Sequence, residues 1–284
     1  MAVSTDDQMK LSVAISPCPN DTFIFDALVN QRLNQKDFEI DLVLDDVEAL
    51  NRATLRGLYD VSKISIAVLP HIVKDYVLLD SGGALGRGCG PLLVARDPTV
   101  VGRMQSARVA IPGRLTTAFM LLCKAFPEWK IAEEMVFSDI EDAVVEGCCD
   151  AGLIIHEGRF TYREKGLESM MDLGDFWEKK TGLPIPLGGI VMHRRIPLSQ
   201  RVLFNRFLRE SVEYALQHPL ISRDFVRHHA QAMQDQVIDQ HIGLYVNNFS
   251  LTLGEEGRSA VKELLGCDWQ QDQDGFPLSE GNLV

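Results

Sequence analysis

Three short stretches of this sequence carry residue types that could do chemistry together. The apolar run Leu153-Ile154-Ile155 ends abruptly in His156-Glu157-Gly158-Arg159. An imidazole with an ordinary pKa of about 6.5 accepts a proton near neutrality, so His156 is the candidate general base. Ser62-Lys63-Ile64-Ser65 closes another strand with two hydroxyls and a cation; Lys63 pairs either with an anionic ligand or with Asp60. Thr116-Thr117-Ala118 opens a helical pattern. The first N–H groups of a helix are unpaired and lie at its positive end, which suits a carboxylate or phosphate. One Thr acting as a plain cap is compatible with that use. Asn20 lies in the loop after the first strand, and Asn51 is either a ligand amide or a solvent-facing residue. Asp21 and Glu157 are the carboxylates in this set, and each reads as a cap or salt-bridge partner rather than an acid catalyst. A facing carboxylate pair, a zinc-spaced Cys/His cluster and a G-x-S-x-G elbow are all missing. His71, His193, His218, His228, His229 and His241 read as structural, the last four lying in long helical patterns.

The elements that must position these groups follow a repeating order. Lys10 to Ile15 alternates as a strand, and Ser16-Pro17-Cys18-Pro19-Asn20-Asp21-Thr22 follows it. Asn20 or Asp21 then caps a helix through Phe23, Phe25, Leu28 and Val29. A strand at Phe38 to Leu44, a helix at Val47 to Leu58 and a strand at Asp60 to Ser65 complete a βαβαβ series, which predicts a parallel sheet covered on both faces. Two strands, Tyr76 to Asp80 and Pro91 to Arg96, flank a glycine-rich stretch from Gly82 to Gly90. No G-x-G-x-x-G stands there between a strand and a helix, so a tight loop is expected rather than a nucleotide site.

A second βα series begins at Arg108 to Gly113. It continues through the helix opened by Thr116-Thr117, a strand ending at Val136-Phe137, and a helix Asp139 to Glu146 with Ser138 and Glu141 in capping-box spacing. The strand before His156 comes next, and Ile190 to His193 is a later one. Ser199 to Gln217, Ser222 to Val246 and Leu253 to Leu265 read as three amphipathic helices that pack back on the first lobe. The fold class is therefore α/β, a two-lobed clamshell like a periplasmic binding protein (type II) with a ligand cleft between the lobes and a helical C-terminal return. The expected division is 1–95 plus 188–284 for the large lobe and 96–187 for the small one, with crossings near Ala95–Asp97 and Pro186–Gly189. Ligands of open α/β sheets sit beyond the carboxyl ends of strands, where His156 is found.

Composition narrows the function. The chain has 284 residues, 46% hydrophobic and 24% charged, which is a soluble globular balance. No apolar run reaches the roughly 20 residues that span a bilayer. A net charge of −12 disfavours nucleic acid and anionic membranes, which need clustered cations. An anionic small molecule would have to be held by local devices. The polar, acidic start, read as a disordered leader through Met9, carries no secretory signal. The six cysteines, Cys18, Cys89, Cys123, Cys148, Cys149 and Cys267, form no C-x-x-C. They read as reduced thiols in a cytoplasmic protein, Cys123 and Cys148 being buried in helices.

Taken together, Ser16 to Phe23, Gly86-Arg87-Gly88-Cys89-Gly90-Pro91-Leu92, Pro112-Gly113 with Thr116-Thr117-Ala118, and Gly152 to Glu157 resemble the 1,4-dihydroxy-6-naphthoate synthases of the futalosine route to menaquinone. The likeness runs in order from Lys10 into the C-terminal helices. It implies a cytoplasmic enzyme of periplasmic-binding-protein-like fold, a carbon–carbon lyase. Its reaction would cleave cyclic dehypoxanthinylfutalosine to 1,4-dihydroxy-6-naphthoate and dihydroxyacetone. It implies His156 as proton acceptor, substrate contacts at Lys63, Ile64, Ser65, Thr116, Thr117 and Ala118, and no metal or organic cofactor; it allows a homodimer. Asn20 and Asn51 join the expected contacts. The sister enzyme chorismate dehydratase and a solute-binding protein for a small carboxylate are the competing readings.

Overall fold

The computed structural model describes residues 8–230 and 234–266. Two sheets organise the chain. The first holds β1 (Met9–Ile15), β2 (Phe38–Leu44), β3 (Val61–Ser65), β4 (Tyr76–Leu78) and β5 (Ala84–Gly86). The second holds β6 (Leu92–Ala95), β7 (Val109–Ile111), β8 (Ala132–Glu134), β9 (Ala151–Ile154) and β10 (Glu168–Asp172); β11 (Ile185–His193) returns to the first. The chain thus passes between sheets at 87–91 and again at 182–184. Leu92–Ala95 belongs to the second sheet.

Strand order is β2-β1-β3-β11-β4 in one sheet, with β5 also on β11, and β10-β6-β9-β7-β8 in the other. β1, β2 and β3 are parallel, as are β7, β8 and β9. The returning β11 is antiparallel to its partners, and β6 is antiparallel to β9 and β10. Both sheets are therefore mixed, where the βα pattern predicts a parallel one. The reason is topological: a strand that crosses back from the other lobe is not the second strand of a βαβ unit within its own sheet, and it enters that sheet from the opposite end.

The helices are α1 (Pro19–Val29), α2 (Val47–Leu55), α3 (Leu69–Ile72), α4 (Thr117–Ala125), α5 (Ile140–Val145), α6 (Gly158–Thr161), α7 (Leu173–Thr181) and α8 (Leu198–Gln217). The return continues with α9 (Pro219–His229), α10 (Asp235–Tyr245), α11 (Asn248–Leu251) and α12 (Gly254–Leu265). α8, α9 and α10 pack on α1, while α11 lies against β5 and α12 against β11. α1 is consequently buried on every side from Pro19 to Leu28. Its polar Asp26 is satisfied by Ser222 Oγ at 2.8 Å and by Asn30 and Arg32. One apolar cluster joins β1, α1 and α8, with Phe38 edge-on to Phe204 and Phe207 at 5.7 and 6.1 Å. A larger one continues from the first sheet into the second.

Several local expectations give way. α1 starts at Pro19, which supplies the preset φ of a first helical position. Cys18 occupies the cap position and Asn20 and Asp21 lie inside the first turn, free for other partners. α2 ends at Leu55 and is capped by Asp46, whose carboxylate accepts from Glu48 N at 2.8 Å. Ser138 and Glu141 form no capping box; α5 begins at Ile140, and Ser138 Oγ donates instead to Asp139. The strand expected to end at Phe137 is β8, which ends at Glu134. The long helix expected from Ser222 to Val246 is two helices, with α9 ending at His229 and α10 starting at Asp235. Cys148, expected in a buried helix face, is exposed beyond the end of α5, and Cys123 is only half-buried. All five described cysteines are free. Residues 1–7 of the expected leader and Cys267 lie outside the described residues.

Candidate active site

A cleft lies between the two sheets, the kind of concave place where small-molecule sites form. From the first sheet it receives Ser16, Asn20 and Asp21 at the β1–α1 turn, Lys63, Ile64 and Ser65 at the end of β3, and Gly188 on β11. From the second come Pro91, Ile155, His156 and the start of α4, Thr116, Thr117 and Ala118. His241 and Tyr245 of α10 close it. Gly188, His241 and Tyr245 lie within β11 and α10; the other positions lie at or beside strand ends and helix starts, where side chains and backbone groups are released from the ladder.

The first-sheet wall is a finished hydrogen-bond network. Asp21 accepts from Ser16 Oγ at 2.7 Å and from Asn20 Nδ2 at 2.7 Å, and the Lys63 ammonium lies directly on its carboxylate. Lys63 therefore pairs with Asp21. Asp60 faces the other way, taking Ser12 Oγ at 2.8 Å and Arg195 at 2.9 Å. Asp21 and Lys63 are both buried, and a buried pair is tolerable only with its remaining bonding capacity filled. Asn51 is fully buried and braces β3: its Oδ1 accepts from Ser65 N at 2.8 Å and its Nδ2 donates to Ser65 Oγ at 3.1 Å. It stands behind the cleft wall, neither lining it nor facing solvent.

The opposite wall is open-ended. Thr116 Oγ1 caps α4, accepting from Phe119 N at 3.2 Å and donating to Gly113 O at 2.8 Å. Thr117 Oγ1 ties the helix to the first sheet, donating to Leu187 O at 2.7 Å and accepting from Ala67 N at 3.2 Å. Both hydroxyls are thus occupied within the protein. The backbone N–H groups of Thr117 and Ala118, first in the helix, have no intrahelical acceptor, and both residues line the cleft; a helix start of this kind suits an anion. Glu48 on α2 holds the loop before this helix, accepting from Leu115 N at 3.3 Å.

His156 follows β9 in a turn before α6, with φ of +56°. Among the described residues only Gln31 shares a positive φ without being glycine. Holding an imidazole there costs on the order of 1 kcal/mol, and such strain concentrates at functional sites. Its Nδ1 is 3.2 Å from Cys18 Sγ, across the cleft, and Phe137 flanks the ring at 5.0 Å. Burial pulls the His156 pKa down to about 4, the Asp21 carboxylate opposing and Lys63 assisting. Burial also raises the Cys18 thiol far above its ordinary value. The pair is therefore thiol and neutral imidazole, not thiolate and imidazolium. In the tautomer that carries its ring proton on Nδ1, facing the sulfur, Nε2 keeps a free lone pair.

The flanking residues have structural partners. Arg159 donates to Gly88 O at 2.9 Å, to Gly90 O and to Asp172 at 2.7 Å. It staples the glycine stretch to β10. Gly90 is needed there because any Cβ would collide with the backbone of Gly174. Arg87 is half-exposed and engages Gly182 O at 3.0 Å and Glu256 at 2.8 Å, away from the cleft. His71, His193, His218, His228 and His229 lie outside the cleft.

Sequence reasoning did not place Cys18 against His156 or His241 in the cleft wall. His241 shares a helix face with Ile238 and Tyr245, and all three are buried. A histidine on an apolar stripe at helical spacing was the available signal. Groups able to hold a metal ion are not found among the described residues, and no helix among them is long and apolar enough to cross a membrane.

Comparison with known proteins bears on the family and the fold. The family model described as menaquinone biosynthesis matches residues 11–267. A Thermus thermophilus protein named 1,4-dihydroxy-6-naphtoate synthase is 46% identical over 254 residues, covering 89% of this chain and 92% of its own length. A Streptomyces coelicolor protein of the same name is 44% identical over 264 residues, covering 90% and 91%. A solved protein of Archaeoglobus fulgidus superposes with a TM-score of 0.85 at 32% identity, covering 90% of this chain and 96% of its own. The periplasmic aliphatic sulphonate binding protein of Escherichia coli superposes at 0.62 with 13% identity, covering 90% and 85%. At that identity the likeness speaks for the two-lobed binding-protein fold alone.

Proposed function

The chain belongs to the menaquinone biosynthesis family, and we propose that it is a 1,4-dihydroxy-6-naphthoate synthase. In this reading it cleaves cyclic dehypoxanthinylfutalosine to 1,4-dihydroxy-6-naphthoate and dihydroxyacetone, as a carbon–carbon lyase of the cytoplasm that uses only its own side chains. The observation that carries the proposal is the neutral His156, held at a strained turn in a cleft that faces the open N-terminus of α4.

The chemistry asks for one base, donors for the charge that develops, and a dry site. His156 Nε2 takes a proton from substrate carbon. The electron pair left behind is held as an enolate. Its return breaks the adjacent carbon–carbon bond, the departing three-carbon unit takes the bonding pair and recovers the proton from His156, and the gain of aromaticity drives the sequence forward. Because burial keeps the imidazole uncharged at neutral pH, nearly every molecule starts with a base ready. The imidazolium that forms is stabilised by the nearby Asp21 carboxylate, the group that already opposes the downward shift. The substrate carboxylate rests on the amides of Thr117 and Ala118, which answers how a protein of net charge −12 holds an anion. Lys63, Ser65 and Asn20 border the same space and shape it. Gly188 leaves room beside Lys63, since a Cβ there would press on Ile64 O at 2.9 Å.

The test is direct. The protein is incubated with cyclic dehypoxanthinylfutalosine, and the expected result is dihydroxynaphthoate, detected by fluorescence and mass. Turnover of chorismate instead would assign the sister activity, and binding without turnover would assign a carrier.

A further inference from the structure

His241 is a histidine that the chemistry above does not use, and its surroundings call for a ligand. It is 0% exposed on α10, lines the cleft, and neither ring nitrogen has a hydrogen-bond partner among the described residues. Its ring lies parallel to that of His156, 9° between planes and 6.2 Å between centroids. Tyr245 packs on it at 4.7 Å and Phe160 at 6.4 Å. The two imidazoles come from opposite sides of the cleft, one after β9 of the second sheet and one from the helical return on the first.

A buried polar group left unpaired is destabilising, and native structures rarely keep one without a use. Phenylalanine would fill the same aromatic pocket without that cost. Burial first, then His156, then Lys63, hold the His241 pKa well below the ordinary value, so the ring is neutral and offers one N–H and one lone pair. The acidic groups nearby do not claim it: Asp21 is saturated by Ser16, Asn20 and Lys63.

We propose that His241 is a second substrate-contacting imidazole, whose N–H donates to the substrate oxygen that gains negative charge as His156 removes the proton. The inference rests on the proposed function, because the charge in question arises only in that reaction. The oxygen belongs to a carbonyl next to the carbon deprotonated by His156, which accounts for a donor whose ring stands 6.2 Å from that of the base. A pre-placed donor in a dry site is worth far more there than in water, since nothing needs to reorient as charge appears.

The test uses the full-length protein and His241→Phe, with His241→Gln as the conservative partner. Removing one such donor is expected to lower kcat by about 10²–10³ with KM changed much less, and Gln is expected to recover part of the loss. The melting temperature of His241→Phe is expected to equal or exceed that of the wild type. A kcat within threefold of wild type in His241→Phe overturns the inference. So does a kcat loss matched by a fall in melting temperature, which marks a packing role. If the variants do not fold, the wild type labelled with 15N at its imidazole nitrogens is titrated with 1,4-dihydroxy-6-naphthoate. A shift at a His241 ring nitrogen is expected, and unchanged signals at saturation overturn the proposal. A wild type that forms no dihydroxynaphthoate overturns the proposed function first, and this inference falls with it.

Discussion

The two walls of the cleft handle their polar groups in opposite ways. On the first-sheet side, Ser16, Asn20, Asp21 and Lys63 satisfy one another, and Asn51 is spent on Ser65. On the other side, the amides that open α4 lack intrahelical acceptors and His156 sits at a positive φ with only a thiol on Nδ1. Between them, His241 has no hydrogen-bond partner on either nitrogen among the described residues. A closed network resists displacement and fixes shape, because each group in it would lose a bond by turning toward a ligand. An open set waits for one. The contrast implies that the first wall positions and the second reacts, although both walls carry residues of the kinds that sequence inspection singles out.

That contrast can be broken by mutation. The largest effect is expected for His156→Asn, which should lower kcat by roughly 10²–10⁴ while leaving the melting temperature close to wild type. A loss under tenfold would remove the imidazole from the role of base. Lys63→Met should act on the other property. It strands the buried Asp21 carboxylate and is expected to cost about 3–5 kcal/mol in urea unfolding. A stable Lys63→Met protein with a greatly raised KM would instead make Lys63 a ligand contact and erase the distinction between the walls.

Acidity offers a gentler probe. His156 titrates at about 4 in the folded protein and near 6.5 when unfolded, so between these values the unfolded chain binds the extra proton. Stability therefore rises with pH through that window and is lost as pH falls below 6.5. His241, shifted in the same direction, adds to the slope. The His156 share is on the order of 3 kcal/mol by pH 4. Melting curves from pH 7 to pH 4.5 should show a steeper acid loss for wild type than for His156→Asn, and parallel curves would contradict the shift. The same titration places the acid limb of kcat/KM near pH 4 rather than near 6.5.

Smallest is Thr116→Val, which removes the cap of α4 and is expected to cost about 1 kcal/mol of stability. KM should rise only a few-fold, since backbone amides rather than the hydroxyl are assigned to the substrate carboxylate. A hundredfold rise would return that contact to the side chain.

Much of the fold was legible from local pattern. Alternating apolar residues at Lys10 to Ile15 and the continuous run at Leu153 to Ile155 report burial on one or two faces. The helix from Leu198 to Gln217 declares itself by periodicity, because side chains repeat every 3.6 residues whatever they later touch. His156 was visible for a related reason: an apolar strand that stops at a polar cluster marks a strand end, and strand ends of α/β sheets open on ligands. The direction of β11 was not visible, nor the partner of Lys63. Asp60 is a close neighbour in sequence, but successive strand residues point to opposite faces, and the carboxylate that meets the ammonium comes from Asp21.

The sequence by itself determined the two βα series, the strand end that carries His156, the capping role of Thr116 and, by resemblance, the family. These are properties of spacing and residue type, read along the chain without reference to what each segment later touches. Tertiary structure alone decided which polar groups are already spoken for. It set Asp21 on Lys63, turned Asn51 to the back of β3, placed Cys18 Sγ 3.2 Å from His156 Nδ1 and laid His241 parallel to His156 from a helix 85 residues downstream. Whether a histidine is a packing residue or a reacting one depends on the hydrogen bonds it lacks, and a missing partner is a fact about every element that surrounds it.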